Sequence, residues 1–257
     1  MKHLLILGGS SPIGLKCINQ ALNENYIVTS IGRKKINIIN KNFYFKKVNF
    51  EFKNNWKKIF FNLNKKNPIT HFIFLQRNRT DNVNFLKEMN ISIYPVVELV
   101  KEFFEFNIKN KNKINKSIII FTSPIVGKSA LEQPLTYHAS KAILHQLVKY
   151  FSVYLGKINC NINGLSPDII FKERAKKFFK KNKDLKKLIN KIIPLKKMAN
   201  VEEISQVTMS LLDLKFNYLN GQIITLDGGL SSHTHSSLAK FSKNFADDTF
   251  DLKRINF

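Results

Sequence analysis

Tyr137 and Lys141 stand four residues apart in the stretch Tyr137-His138-Ala139-Ser140-Lys141. On a helix that spacing puts both side chains on one face. An ammonium beside a phenol favours the phenolate, so the pair could take up and release a proton near neutral pH as a general acid and base. Ser123 adds a hydroxyl just past the apolar run Ile118–Phe121. That is the carboxyl end of an expected strand, where open α/β sheets bind their ligands. A Tyr-x-x-x-Lys pair alone is most often structural, so its meaning depends on what else the chain brings to that end of the sheet.

The N-terminus supplies a second constellation. An apolar strand, His3–Leu7, runs directly into Gly8-Gly9-Ser10-Ser11-Pro12-Ile13-Gly14 and then into helical periodicity. Glycines let the backbone approach a pyrophosphate, and the free N–H groups of a helix start point at it. Gly8, Ser10, Ser11, Ile13 and Gly14 are therefore the expected phosphate cradle. Pro12 is tolerated because the first turn of a helix has no use for its missing N–H. The second strand ends in Gly32-Arg33-Lys34 with no carboxylate. A guanidinium there suits a 2′-phosphate in bidentate geometry, which favours NADP while leaving NAD possible. Asn49, closing the third strand, could bond an adenine edge.

These groups need a scaffold that carries them to one edge. Short apolar runs at 3–7, 26–31, 43–48, 70–75, 117–121, 161–165 and 222–226 alternate with helical patterns at 13–23, 56–63, 83–106, 136–155, 172–193 and 201–212. Strands alternating with helices imply parallel crossovers and a sheet covered on both faces. Pro95 falls inside the helix of Asn90 and cannot donate to the carbonyl of Ile91, so a kink is expected beside Asn90.

Composition sets the outer bounds. The chain has 257 residues, 44% hydrophobic and 23% charged, as in an ordinary globular protein. No apolar run approaches the ~20 residues that cross a bilayer, and the N-terminus lacks the form of a signal peptide. No membrane association is therefore expected. Two cysteines, Cys17 and Cys160, cannot build a disulfide framework, so a cytoplasmic setting is expected. The net charge of +24 accompanies abundant Lys, Asn, Ile and Phe with only 10 Gly and 7 Pro, the signature of an AT-rich genome. The lysines are spread without an aromatic-interleaved repeat, which argues against nucleic-acid binding. His233 and His235 lack a third ligand, and no metal site is expected.

The ordered set GGSSPIG at 8–14, EMNIS at 88–92, FTSPIVG at 121–127, YHASK at 137–141, NGLSP at 163–167 and NGQIITLDGG at 220–229 resembles the short-chain dehydrogenase/reductase family. PLKKMANVEEIS at 194–205 fits the same pattern. The resemblance implies one Rossmann-type α/β domain over residues 1–231, with a doubly wound parallel seven-stranded sheet and a substrate lid at 168–195. A polar tail follows at 232–257. It implies a nicotinamide cofactor, a carbonyl or secondary alcohol substrate, and a homotetramer or homodimer. It places the catalytic roles on Ser123, Tyr137, Lys141 and Asn90. Tyr137 exchanges the proton with the substrate oxygen, Ser123 bonds that oxygen, Lys141 holds the nicotinamide ribose, and Asn90 supports a proton-relay water. Gln76, Pro167 and Ile170 join the cofactor contacts.

Four departures from the family pattern stand out. Leu75-Gln76-Arg77-Asn78 replaces the usual Asn-Asn-Ala-Gly, and Arg77 and Arg79 bring guanidiniums to the cleft, which suggests an anionic substrate. The interval from this turn to Asn90 is short, so the cleft should be open. Asp168 replaces the family glycine, and Lys172 a cofactor-fixing threonine. Ser123 lies one place earlier than the commonest register, with Pro124 in the usual position. The basic lid and the arginine turn are compatible with a sugar or nucleotide sugar of surface-polysaccharide biosynthesis. The alternatives are a 3-oxoacyl thioester on an acyl carrier protein, or, in another class, a non-catalytic nucleotide-binding regulator.

Overall fold

The computed structural model describes residues 1–78, 84–111, 114–124, 133–213 and 215–241. Arg79 and residues 242–257 of the tail lie outside these. Seven strands form one parallel sheet: β1 (His3–Leu7), β2 (Ile27–Gly32), β3 (Phe43–Lys47), β4 (His71–Phe74), β5 (Lys116–Phe121), β6 (Cys160–Pro167) and, after the two-residue strands β7 (Ile170–Phe171) and β8 (Ala199–Asn200), β9 (Ile223–Leu226). The order β3-β2-β1-β4-β5-β6-β9 is doubly wound and reverses between β1 and β4. At such a switch point the connections leave in opposite directions and open a crevice above the strand ends.

The sheet is buried on both faces, so its strands are apolar without alternation. The faces still divide by parity. Leu5 and Leu7 of β1 join the core under α2 (Trp56–Asn64), α4 (Tyr94–Asn110) and α5 (Leu135–Leu155), with Phe60, Phe103 and Val148. Leu4 and Ile6 face α1 (Pro12–Asn23) and α8 (Val201–Leu212), with Ile18 and Leu212. Phe72 sits against Phe103 at 5.0 Å in an edge-to-face contact. Burying each such ring stabilises the fold by about 1.5–3 kcal/mol. No helix among the described residues is long and apolar enough to cross a membrane.

Three elements differ in form from the sequence reading. The expected helix over 83–106 is a single turn, α3 (Phe85–Glu88), a π-helical segment over Met89–Ile93, and then α4. The wider π turn lets Tyr94 N–H reach Met89 O and places Pro95 in the first turn of a new helix, where its missing donor costs nothing. The lid is not one helix. It comprises β7, α6 (Lys176–Lys181) and α7 (Lys183–Ile192), held by a small core of Phe179, Ile193 and Met198. The polar tail, beyond the last helical pattern read at 201–212, begins with helix α9 (His235–Phe241), which packs on α7.

Candidate active site

The glycine turn is fixed by crowding. Gly8 has φ +81°, and a Cβ there would lie 2.8 Å from the backbone N of Gln76. A Cβ on Gly14 would lie 2.7 Å from Cα of Gly9. Both contacts are with backbone, which cannot swing aside, so only glycine fits. Ser11 caps α1 by accepting from Gly14 N at 3.1 Å, so its hydroxyl is already engaged. Ser10 is exposed at the turn, and the side chain of Ile13 lies in the core, leaving its backbone facing the turn. Gln76, 8% exposed, lies two residues beyond β4 beside Gly8, and its buried Oε1 lacks a hydrogen-bond partner among the described residues. A glycine cradle beside an orphaned buried amide is the arrangement a dinucleotide would complete.

At the outer end, Arg33 forms an ion pair with Glu51, and Lys87 approaches the other carboxylate oxygen at 3.3 Å. Asn49 Oδ1 accepts from Glu51 N at 3.1 Å, which commits its oxygen to the turn and leaves its amide N–H groups for another partner. Pro167 ends β6 and Ile170 opens β7, both half-buried. Lys172 lines a groove with Pro12 at the start of α1.

The reactive end is built by α5. Lys141 is buried and donates to the Phe121 carbonyl at 3.0 Å. Burial, then the charge of Arg77, drives its pKa down from 10.5 to about 8, against the opposing pull of Glu88. Its ammonium nitrogen lies 5.6 Å from the centre of the Tyr137 ring, and the guanidinium carbon of Arg77 lies 5.4 Å from that centre. Two cations therefore flank the Tyr137 ring. Ser123, 4% exposed, lies two residues beyond β5.

Asn90 lies where the helix yields before Pro95. Its amide donates to the Glu51 carbonyl at 3.1 Å, from within the π-helical segment. That bond links Asn90 to Glu51, the ion-pair partner of Arg33. Two residues escaped the sequence reading. His145 Nε2 contacts the Ser123 carbonyl at 3.2 Å, so that nitrogen carries a proton and donates. It continues the four-residue spacing of Tyr137 and Lys141, which is the signal that could have revealed it. Glu88 is buried, accepts from Ser92 Oγ at 2.6 Å and acts electrostatically on Lys141.

The chain is similar to several known proteins. A family model described as enoyl-(acyl carrier protein) reductase matches residues 56–231. A 3-oxoacyl-(acyl-carrier-protein) reductase FabG of Buchnera aphidicola subsp. Baizongia pistaciae is 25% identical over 229 residues, covering 89% of this chain and 87% of that protein. Among solved structures, a short chain dehydrogenase family protein from Francisella tularensis superposes with TM-score 0.76 at 19% identity, covering 91% of this chain and all of that one. A 4-hydroxyisoleucine dehydrogenase complexed with NADH gives TM-score 0.79 at 22% identity, over 91% of this chain and 100% of that one.

Proposed function

Because the chain belongs to the short-chain dehydrogenase/reductase family, we propose that it is an NADP-preferring reductase acting at Tyr137 on a carbonyl, or in reverse on a secondary alcohol. The observation that carries the reading is Lys141: a buried ammonium, tethered to Phe121 and aimed at the Tyr137 ring. A bound nicotinamide supplies or accepts the hydride. In reduction the Tyr137 hydroxyl gives its proton to the substrate oxygen, and the ammonium of Lys141 stabilises the phenolate left behind. Ser123 holds the substrate oxygen. Gly8, Ser10, Ser11, Ile13 and Gly14 frame the pyrophosphate, with the backbone N–H groups of Ser10 and Ile13 as its donors, Arg33 holds the 2′-phosphate, Asn49 the adenine, and Gln76, Pro167 and Ile170 the remaining length.

For the substrate, the relatives named as 3-oxoacyl-carrier-protein reductases favour a 3-oxoacyl thioester over the sugar suggested by the arginine turn. Arg77, beside Tyr137, supports an anionic group on the substrate or its carrier. Self-association is supported by exposed apolar side chains on neighbouring helices, Val153 and Tyr150 of α5 with Ile108 of α4. Cys17 and Cys160, buried and unpaired, support a cytoplasmic setting.

The test follows NADPH oxidation with a 3-oxoacyl thioester and with keto-sugar nucleotides. Tyr137→Phe should lower kcat by about 10²–10⁴ while cofactor still binds. Equal turnover in both chains refutes the assignment of Tyr137, and turnover of the sugars alone refutes the thioester reading.

A further inference from the structure

We propose that Glu51 is a resident anion that competes with the cofactor's 2′-phosphate for Arg33 and so sets how strongly the chain prefers NADP to NAD, an inference resting on the reading of Arg33 as the 2′-phosphate contact. The Glu51 carboxylate bridges two cations from different elements. One oxygen pairs with Arg33 at the end of β2, and the other lies 3.3 Å from Lys87 of α3. The acid is held from its backbone on both sides. Its N–H donates to Asn49 Oδ1 at 3.1 Å, and its carbonyl accepts from Asn90 Nδ2 at 3.1 Å. Arg33 is differently placed: its side chain is 62% exposed against 26% for Glu51, so the guanidinium is the mobile member of the pair.

A phosphate arriving at Arg33 therefore meets a guanidinium already engaged and a fixed negative charge beside it. The guanidinium can turn to the phosphate, since Glu51 retains Lys87 as a partner. The exchange nonetheless breaks one ion pair and sets a carboxylate close to a dianion, and both effects oppose the 2′-phosphate. A cofactor with a free 2′-hydroxyl meets neither penalty, and a carboxylate can accept a hydrogen bond from a hydroxyl. Glu51 thus pulls the preference back toward NAD, against Arg33. It occupies the role that an acidic residue at the end of β2 would have had, supplied from the end of β3.

Binding of NADPH, NADH, 2′,5′-ADP and 5′-AMP, measured by calorimetry without substrate, tests this. An exposed pair of this kind changes affinity by roughly two- to fivefold. Glu51→Gln should tighten NADPH and 2′,5′-ADP by that factor and leave NADH and 5′-AMP no tighter. Lys87→Met, which strips Glu51 of its second partner and leaves it wholly to Arg33, should weaken the phosphorylated pair only. Unchanged or weakened NADPH binding by Glu51→Gln overturns the proposal. Arg33→Ala separates the two levels. If it causes no selective loss of 2′,5′-ADP, the reading of Arg33 and this inference fall together. If it does cause that loss while Glu51→Gln gives no gain, this inference alone falls.

Discussion

Lys141 should make the protein less stable than a chain without it. Its ammonium is buried, and its pKa falls from 10.5 to about 8. At pH 7 the lysine is charged in both the folded and unfolded chain, but the folded site disfavours that charge. At about 1.4 kcal/mol per pH unit, the drop corresponds to about 3 kcal/mol of lost stability. Between pH 8 and 10.5 the folded chain has released the proton while the unfolded chain still binds it, so stability rises with pH and the penalty fades. Lys141→Met keeps an unbranched side chain of similar length without the charge. It forfeits the bond to the Phe121 carbonyl, at about 1 kcal/mol. The net expectation at pH 7 is a gain of about 2 kcal/mol, or roughly 4–8 °C in Tm, in a chain with little turnover. Urea and thermal unfolding of both chains at intervals from pH 7 to 10.5 read this directly. A variant no more stable at pH 7, or a gap that stays constant up to pH 10.5, refutes the reasoning.

Arg77→Met removes the second-largest influence on Lys141, so the pH at which Lys141 titrates should move above about 8, visible as a shifted alkaline limb in kcat/KM. Gly14→Ala drives a Cβ into the backbone of Gly9 and should lower stability by about 1–3 kcal/mol in urea titration. His71, fully buried at the amino end of β4, has its pKa lowered to about 3 by burial first. Below pH 6.5 the unfolded chain takes up a proton that the folded chain refuses, so this group's share of stability falls with pH by up to about 1.4 kcal/mol per unit until pH 3. His71→Phe should flatten that slope in urea titrations between pH 6.5 and 4.

The strands, α1 and α5 were legible because each depends on a local rule. Unbroken apolar runs mark a sheet covered on both faces, and a four-residue spacing marks a helix face. Tyr137 and Lys141 share a face for the same reason. The π-helical segment at Met89–Ile93 was not legible, since Pro95 announces only that the helix must yield, not how. A kink and a wider turn both satisfy it. The Arg33–Glu51–Lys87 bridge escaped for another reason: its members lie on three elements, and no pattern along the chain records which ends the fold brings together. His145 was hidden by its plainness, one more half-buried residue on an amphipathic helix, until the Ser123 carbonyl appeared beside it.

The two bonds from α5 to the end of β5 have a consequence for how such a protein can change over time. A slip of the helix by one residue would shift it about 1.5 Å and turn it by about 100°. Lys141 and His145 would lose Phe121 and Ser123 at the same moment. The helix therefore has one seat, with no graded positions around it. Tyr137, one turn before Lys141 on the same helix, is aligned by that seat. Substitutions elsewhere on α5 that spare both bonds can then accumulate while Tyr137 keeps its place, so the surface of the helix is free to drift without moving that residue.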